Sequence, residues 1–158
     1  MAGDIFLDID GVPGEARDAA YKGKIAVEAF RFATFQDLTF KHGYSGGKVN
    51  IPGLWLKKVT DASSHQLFIN CATGAYMSQA TLIVRKATGG TQQEYLKFLM
   101  SDVMVQSFEL LMETEKNPLE EVKLVFSSVK MSYAPQGAAG ALDSFKEAGW
   151  NLAENCKL

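Results

Sequence analysis

Residues 58–90 read KVTDASSHQLFINCATGAYMSQATLIVRKATGG, and this stretch decides the fold. It holds the one clear helix signal, with strand character on both sides. Ser63 and Gln66 have the S-x-x-Q spacing of a capping box, and Asp61 just upstream favours a helix start. Leu67, Phe68, Cys71 and Ala72 recur at three- and four-residue steps, which draws one apolar helix face. Gly74 stands where a left-handed C-terminal cap is wanted. Beyond it, Ala80, Leu82 and Val84 alternate with Gln79, Thr81, Ile83 and Arg85, a strand pattern that Thr88-Gly89-Gly90 ends in a tight turn. A helix of about three turns is not stable alone, so it must lie against a sheet.

The rest of the chain supplies that sheet. Ile5, Leu7 and Ile9 alternate with Phe6, Asp8 and Asp10 in a half-buried strand, followed by the turn-rich GVPGEARD of residues 11–18. Residues 24–33 read as one strand whose apolar phase begins on Ile25 and Val27 and finishes on Phe30 and Phe32. The switch predicts a bulge or burial on both faces. Residues 34–47 read as a long excursion with some strand near Leu38–Phe40, and strand character resumes over residues 48–59 after a break at Pro52-Gly53. Residues 94–112 lean towards strand, Glu113–Pro118 is a polar turn, and residues 120–134 form another strand. In that strand Val122, Leu124 and Phe126 take one face, and Val125, Val129, Met131 and Tyr133 the other. The tail closes on an edge strand around Trp150. Strands apolar on both faces need a second cover, which a helix, another sheet or another subunit could give.

Composition narrows the class. The 158 residues suit one domain, 1–158, that buries roughly 68–70% of its unfolded surface. The net charge of −2 argues against a nucleic-acid binder. No apolar run of membrane-spanning length occurs, so no membrane insertion is expected. MAGDIFLDID has no cationic start and is broken by three aspartates, unlike a cleaved signal peptide. The expectation is a protein that begins in the cytoplasm. Cys71 and Cys156 are too few for a disulfide framework, and Cys71 reads as a small core hydrophobe.

The tests for chemistry come back empty. GYSGGKV at 43–49 fails the phosphate-loop spacing, with three residues between Gly43 and Gly47 and Val49 after Lys48. His42 and His65 have no second ligand at metal spacing, so no metal is expected. No nucleophile elbow is present, and Asp8 with Asp10 reads as a solvated face. No cofactor is expected and no enzyme.

Taken together, DIFLDIDGVPGEARD (4–18), GGKVN (46–50), LFINCATG (67–74), QATLIVRKATGG (79–90), QEYLKF (93–98), the V-x-V of Val103 and Val105, LEEVKLVFSSVKMSYAPQ (119–136) and the closing GW-N (149–151) resemble the haemolysin-coregulated protein (Hcp) family. The resemblance runs from Asp4 to about Asn155. It implies a mainly β fold: an antiparallel β-barrel of two packed sheets with one short α-helix on its side, residues about 63–73, like a phage tail-tube protein. It implies homohexameric rings that stack into the type VI secretion tube, with spike and sheath proteins as partners. Small effector proteins travel in the lumen of such rings, and secretion needs no cleaved signal peptide. Under this resemblance residues 34–47 would stack ring on ring, with Phe35, Phe40 and Tyr44 as the contact. The strand of residues 24–33 would line the lumen. Arg31, alternating with Phe30 and Phe32, would then face the lumen if the phenylalanines face the barrel. Pairing of Arg31 with Glu28 on an outer surface is the competing placement. Residues 34–47 are less glycine-rich than in many relatives, and 137–149 match loosely. A monomeric β-barrel binding a small apolar ligand is the alternative, and molar mass in solution separates the two.

Overall fold

The computed structural model describes residues 4–88 and 90–158. In chain order they form β1 (Asp4–Ile9), β2 (Ile25–Val27), β3 (Ala29–Phe32), β4 (Phe35–Phe40), β5 (Tyr44–Asn50), β6 (Leu54–Val59), α1 (Ser64–Thr73), β7 (Met77–Thr88), β8 (Thr91–Leu111), β9 (Leu119–Val125), β10 (Ser128–Tyr133), β11 (Lys146–Asn151) and β12 (Cys156–Lys157). The fold is mainly β with one short helix, and every strand pairing is antiparallel. One sheet runs β12-β11-β10-β8-β7-β1-β2, and a second runs β3-β6-β9-β8. β8 belongs to both. Met104–Leu111 pairs with β9, while the first half of β8 pairs with β7 and β10. β4 and β5 form a separate hairpin.

The chain changes sheets where its apolar phase changes. The expected single strand over 24–33 is two: β2 pairs with β1 and β3 with β6. Glu28 sits between them and donates its N–H to Lys57 O at 2.8 Å. Ile25 and Val27 are buried in the first sheet, and Phe30 and Phe32 pack on the core from the second. The expected single strand over 120–134 is likewise two, β9 and β10, turning at Phe126-Ser127. In β8 the buried residues pass from Phe98 and Met100 to Val103 and Val105. Asp102 takes a left-handed φ of 51° between them. Asp tolerates that region because its short carboxylate bonds locally, and here Ser127 Oγ donates to Asp102 Oδ2 at 2.8 Å.

The two sheets enclose one core. Leu7, Ile25, Leu54, Leu82, Met100, Val103 and Leu124 are fully or almost fully buried in it. Each such side chain contributes about 1.5–3 kcal/mol through area removed from water.

The helix is seated on charge. Lys58 and Glu120 are cross-strand partners on the inward phase of β6 and β9, and both are 0% exposed. Lys58 Nζ lies 2.8 Å from Glu120 Oε1 and 3.0 Å from Asp61 Oδ1, and donates to Ser64 Oγ at 3.2 Å. This network replaces the expected capping box. Asp61 Oδ1 accepts both the N–H and the hydroxyl of Ser63, while Ser64 Oγ accepts the Asp61 N–H. Ser63 has helical dihedrals and makes no side-chain cap bond. Gln66 donates to Asn70 Oδ1 instead of reaching back. The buried face of α1 is accordingly Ser64, Leu67 and Asn70. Phe68 is exposed, and Cys71 is half-buried and packs against the core from its edge. Gly74 closes the helix in the left-handed region at φ 66°, as expected.

β7 pairs Thr88 with Thr91 of β8. The tight turn expected at Thr88-Gly89-Gly90 falls on Gly89, which lies outside the described residues, as do Met1–Gly3 of the leader reading. The edge strand expected at Trp150 is β11, with the two-residue β12 outside it.

Removing one partner of a buried ion pair strands the other. Lys58→Met should therefore cost about 3–5 kcal/mol in denaturant unfolding, and Lys58→Met with Glu120→Leu should recover most of it. A single variant as stable as the parent would show that the pair does not hold the helix seat.

Candidate functional site

Among the described residues no cluster of His, Cys, Asp and Glu could hold a metal ion. His42 and His65 are both exposed. Asp8 pairs with Lys24 at 2.9 Å and Asp10 accepts from Ser78 at 2.6 Å. The features that stand out are surfaces.

The first is the β4–β5 hairpin. Residues 34–47, expected as a long excursion with some strand near Leu38–Phe40, are mostly regular strand, and every residue of β4 is exposed. Phe40 (69% exposed) and Tyr44 (79% exposed) flank the turn at Lys41–Gly43 with ring centroids 5.1 Å apart. Phe35 and Leu38 are exposed along the same hairpin. A two-stranded hairpin is marginal in water by itself. At its base lies a cleft of about 450 Å³, lined by Phe32, Gln36, Val49, Ile51, Met131 and Trp150 among others. The cleft separates the hairpin from β10–β11.

The second is apolar surface on and around α1. Phe68 and Ile69 on α1, Tyr76 after it, and Leu110, Leu111 and Met112 at the end of β8 are all exposed. Phe68 reaches the Phe108 ring at 6.3 Å.

The third is the outer face of the second sheet. Arg31 is exposed there and does not pair with Glu28; its guanidinium lies 3.8 Å from the centroid of the Trp55 ring. Lys123 Nζ approaches the same ring at 4.7 Å. Phe30 and Phe32 do turn to the core, so the alternation around Arg31 holds. The structure keeps Arg31 apart from Phe35, Phe40 and Tyr44: the first is on the second sheet, the others on the hairpin. Sequence reading missed Trp55 and Lys123, because only strand pairing brings residues so far apart in sequence beside Arg31.

Over β1 and β7 the outer face of the first sheet is covered by the chain itself. Residues 10–24 fold back on themselves, with Gly14 N–H donating to Gly23 O at 2.8 Å and Gly23 N–H to Ala16 O at 2.9 Å. Tyr21 stacks on Phe6 with centroids 4.5 Å apart. Arg85, buried, lies 5.0 Å from both rings and pairs with Asp4 at 2.8 Å and with Asp18. The Tyr21 hydroxyl donates to Glu94; burial, then that bond, pushes its pKa up. The hydrogen bond from Arg85 holds the Asp18 carboxyl below its ordinary 3.8.

Comparison with known proteins places these surfaces in context. Residues 6–133 match the family model described as "Type VI secretion system effector, Hcp". The chain is 36% identical to "Protein hcp1" of Pseudomonas aeruginosa over 98% of both chains. It superposes on Hcp1 from Salmonella typhimurium with a TM-score of 0.81 at 32% identity, covering 100% of each chain. A solved type six secretion system protein shares the fold at a TM-score of 0.92 and 24% identity, over 99% of this chain and 100% of that one. The fold is thus that of a β-rich secretion-system protein rather than of an enzyme family. The chain belongs to the Hcp family of the type VI secretion system. No helix among the described residues is long and apolar enough to cross a membrane.

The depressed pKa of Asp18 makes the 10–24 strap sensitive to acid. Its contribution is fully present above the unfolded value of 3.8 and is lost as pH falls through the lower folded value. Asp18→Asn should speed amide exchange at Gly14, Ala16 and Gly23 near neutral pH, and differ less from the parent in acid. Equal exchange at every pH would show that the Arg85–Asp18 pair does not hold the strap.

Proposed function

We propose that the chain is a structural subunit of a type VI secretion tube. Six copies form a ring, rings stack into a tube, and small effector proteins are carried in the lumen. The observation that carries this reading is the exposed apolar surface at two separated places, the β4–β5 hairpin and the α1–β8 end, in a chain of this family. Monomers rarely leave such patches wet. Two different patches suit a heterologous contact, which propagates from ring to ring when its rotation does not close.

In this reading the hairpin reaches along the ring axis, and Phe35, Phe40 and Tyr44 stack one ring on the next. Arg31 faces the lumen, once per subunit. The whole of residues 1–158 acts as one tube unit, with no cofactor and no catalytic group. Sheath and spike proteins are its further partners, and it leaves the cell with the tube. In the alternative ligand barrel the ligand would sit between the sheets, where Leu7, Leu82, Met100 and Leu124 now pack.

Light scattering at several concentrations tests the ring. A mass near six times 17.3 kDa is expected, and a monomer at micromolar concentration would refute the proposal. Replacing residues 36–45 by a short Gly-Ser linker, or making Phe40→Ser with Tyr44→Ser, should keep the ring and weaken tube formation seen by electron microscopy. Tubes formed as readily as by the parent would place stacking elsewhere.

A further inference from the structure

The outer face of the second sheet carries a row of charged side chains gathered on one tryptophan. Arg31 on β3, Trp55 on β6 and Lys123 on β9 are direct cross-strand neighbours, Arg31 opposite Trp55 and Trp55 opposite Lys123. They form one row across three strands, perpendicular to the chain direction, continued by Ser107 of β8. Both cations lie on the indole, at 3.8 and 4.7 Å. Cation–π contact holds their side chains in place without neutralising either charge. Neither has an ion pair or donates a side-chain hydrogen bond among the described residues. The next row is different: Lys57 there stands opposite Glu121, and Glu121 opposite Glu109. In the Arg31–Trp55–Lys123 row the two cations thus have no acid opposite them. Beside it opens a shallow hollow of about 230 Å³ lined by Arg31, Trp55, Lys57 and Glu121.

We propose that this row is a binding site for an extended acidic polypeptide segment. The two outer strands of the row are two inter-strand spacings apart, roughly 10 Å. Carboxylates two or three residues apart in an extended chain span about 7–10 Å, so two of them reach both cations at once. Trp55 lies between them and holds both cations against its ring. Arg31 offers a planar fork that takes a carboxylate in two parallel hydrogen bonds, and Lys123 offers a point charge. The acidic row of Glu121 and Glu109 repels the segment on one side and fixes its line along the cationic row. Nucleic acid fits less well, because the chain as a whole is acidic and the cations occupy one row only. The inference rests on the proposed tube only for where the acidic segment is met, namely effector protein in the lumen. Binding itself needs no ring.

The chain has two tryptophans, so Trp150→Phe leaves Trp55 as the sole indole reporter. Titrating that protein with a short oligo-glutamate peptide should change Trp55 emission saturably, with affinity falling as salt rises. An oligo-glutamine peptide should give no such change. Arg31→Gln and Lys123→Gln should each weaken the binding about three-fold or more, and Arg31→Glu with Lys123→Glu should remove it. Calorimetric titration of the unaltered chain checks the same constant without the reporter substitution. Equal binding of oligo-glutamine, or unaltered affinity in the charge-reversed variant, overturns the proposal. So does tighter binding of an oligothymidylate, which would show the row to read phosphate. Light scattering on the same samples separates the two readings. A ring that fails to form while the peptide still binds tells against the tube, and an intact ring that binds no peptide tells against the site.

Discussion

The structure depends on one bent strand. β8 is 21 residues long and is shared by the two sheets. An undistorted strand of that length keeps one parity of side chains on one face throughout, and could line only one sheet. The left-handed residue at Asp102 breaks the parity, so Phe98 and Met100 before it and Val103 and Val105 after it reach the same core. Ser127 lies beside the bend and holds it, its N–H donating to Ser101 O at 2.9 Å and its hydroxyl to Asp102. The neighbouring strand must bend at the same level, and it does, splitting into β9 and β10. The remaining corner is Glu28, between β2 and β3. The sheets meet where these segments bend together.

Those bends were partly written in the sequence. The switch from Ile25 and Val27 to Phe30 and Phe32 is visible as a change of phase, and it marks a corner between sheets. Two apolar faces in residues 120–134 carried the same message at Phe126-Ser127. In residues 94–112 the switch was hidden, because Met104 fills the position between the buried Val103 and Val105 and masks the alternation. The helix was legible in its extent and in Gly74, yet its cap was not. A capping box depends on whether Ser63 is left alone, and Asp61 engages it first.

Residues that act through the third dimension stayed out of reach. Lys58 and Glu120 are 62 positions apart. Nothing in LWLKKV or LEEVKLV says that the inward phase of each strand ends on a charge, or that the two charges meet. The same holds for Trp55 and Lys123 beside Arg31. The exposed aromatics of the hairpin were legible for the opposite reason. Phe35, Phe40 and Tyr44 fall in a stretch rich in Gly and polar residues that offers no core to join.

The pairing of apolar faces also changes what the surface has to explain. Strands apolar on both sides suggested cover from a helix, another sheet or another subunit. For β1 and β7 the cover is the chain's own strap, which lays Tyr21 on Phe6 and closes over Arg85 with Asp18. On β6 and β9, α1 is seated on the inward-facing Lys58–Glu120 pair, and Trp55 on the opposite face is half-exposed under two cations. Apolar side chains that the chain leaves exposed include those of the hairpin and those of α1 and the end of β8, while the outer face of β3, β6 and β9 carries fixed charge. A surface divided this way can spend apolar burial on contacts with copies of itself and keep its charged row wet. Burial is strong but indiscriminate, whereas a fixed row of charges gives selectivity at modest affinity. The division therefore suits one surface to permanent assembly and the other to a guest that must later be released.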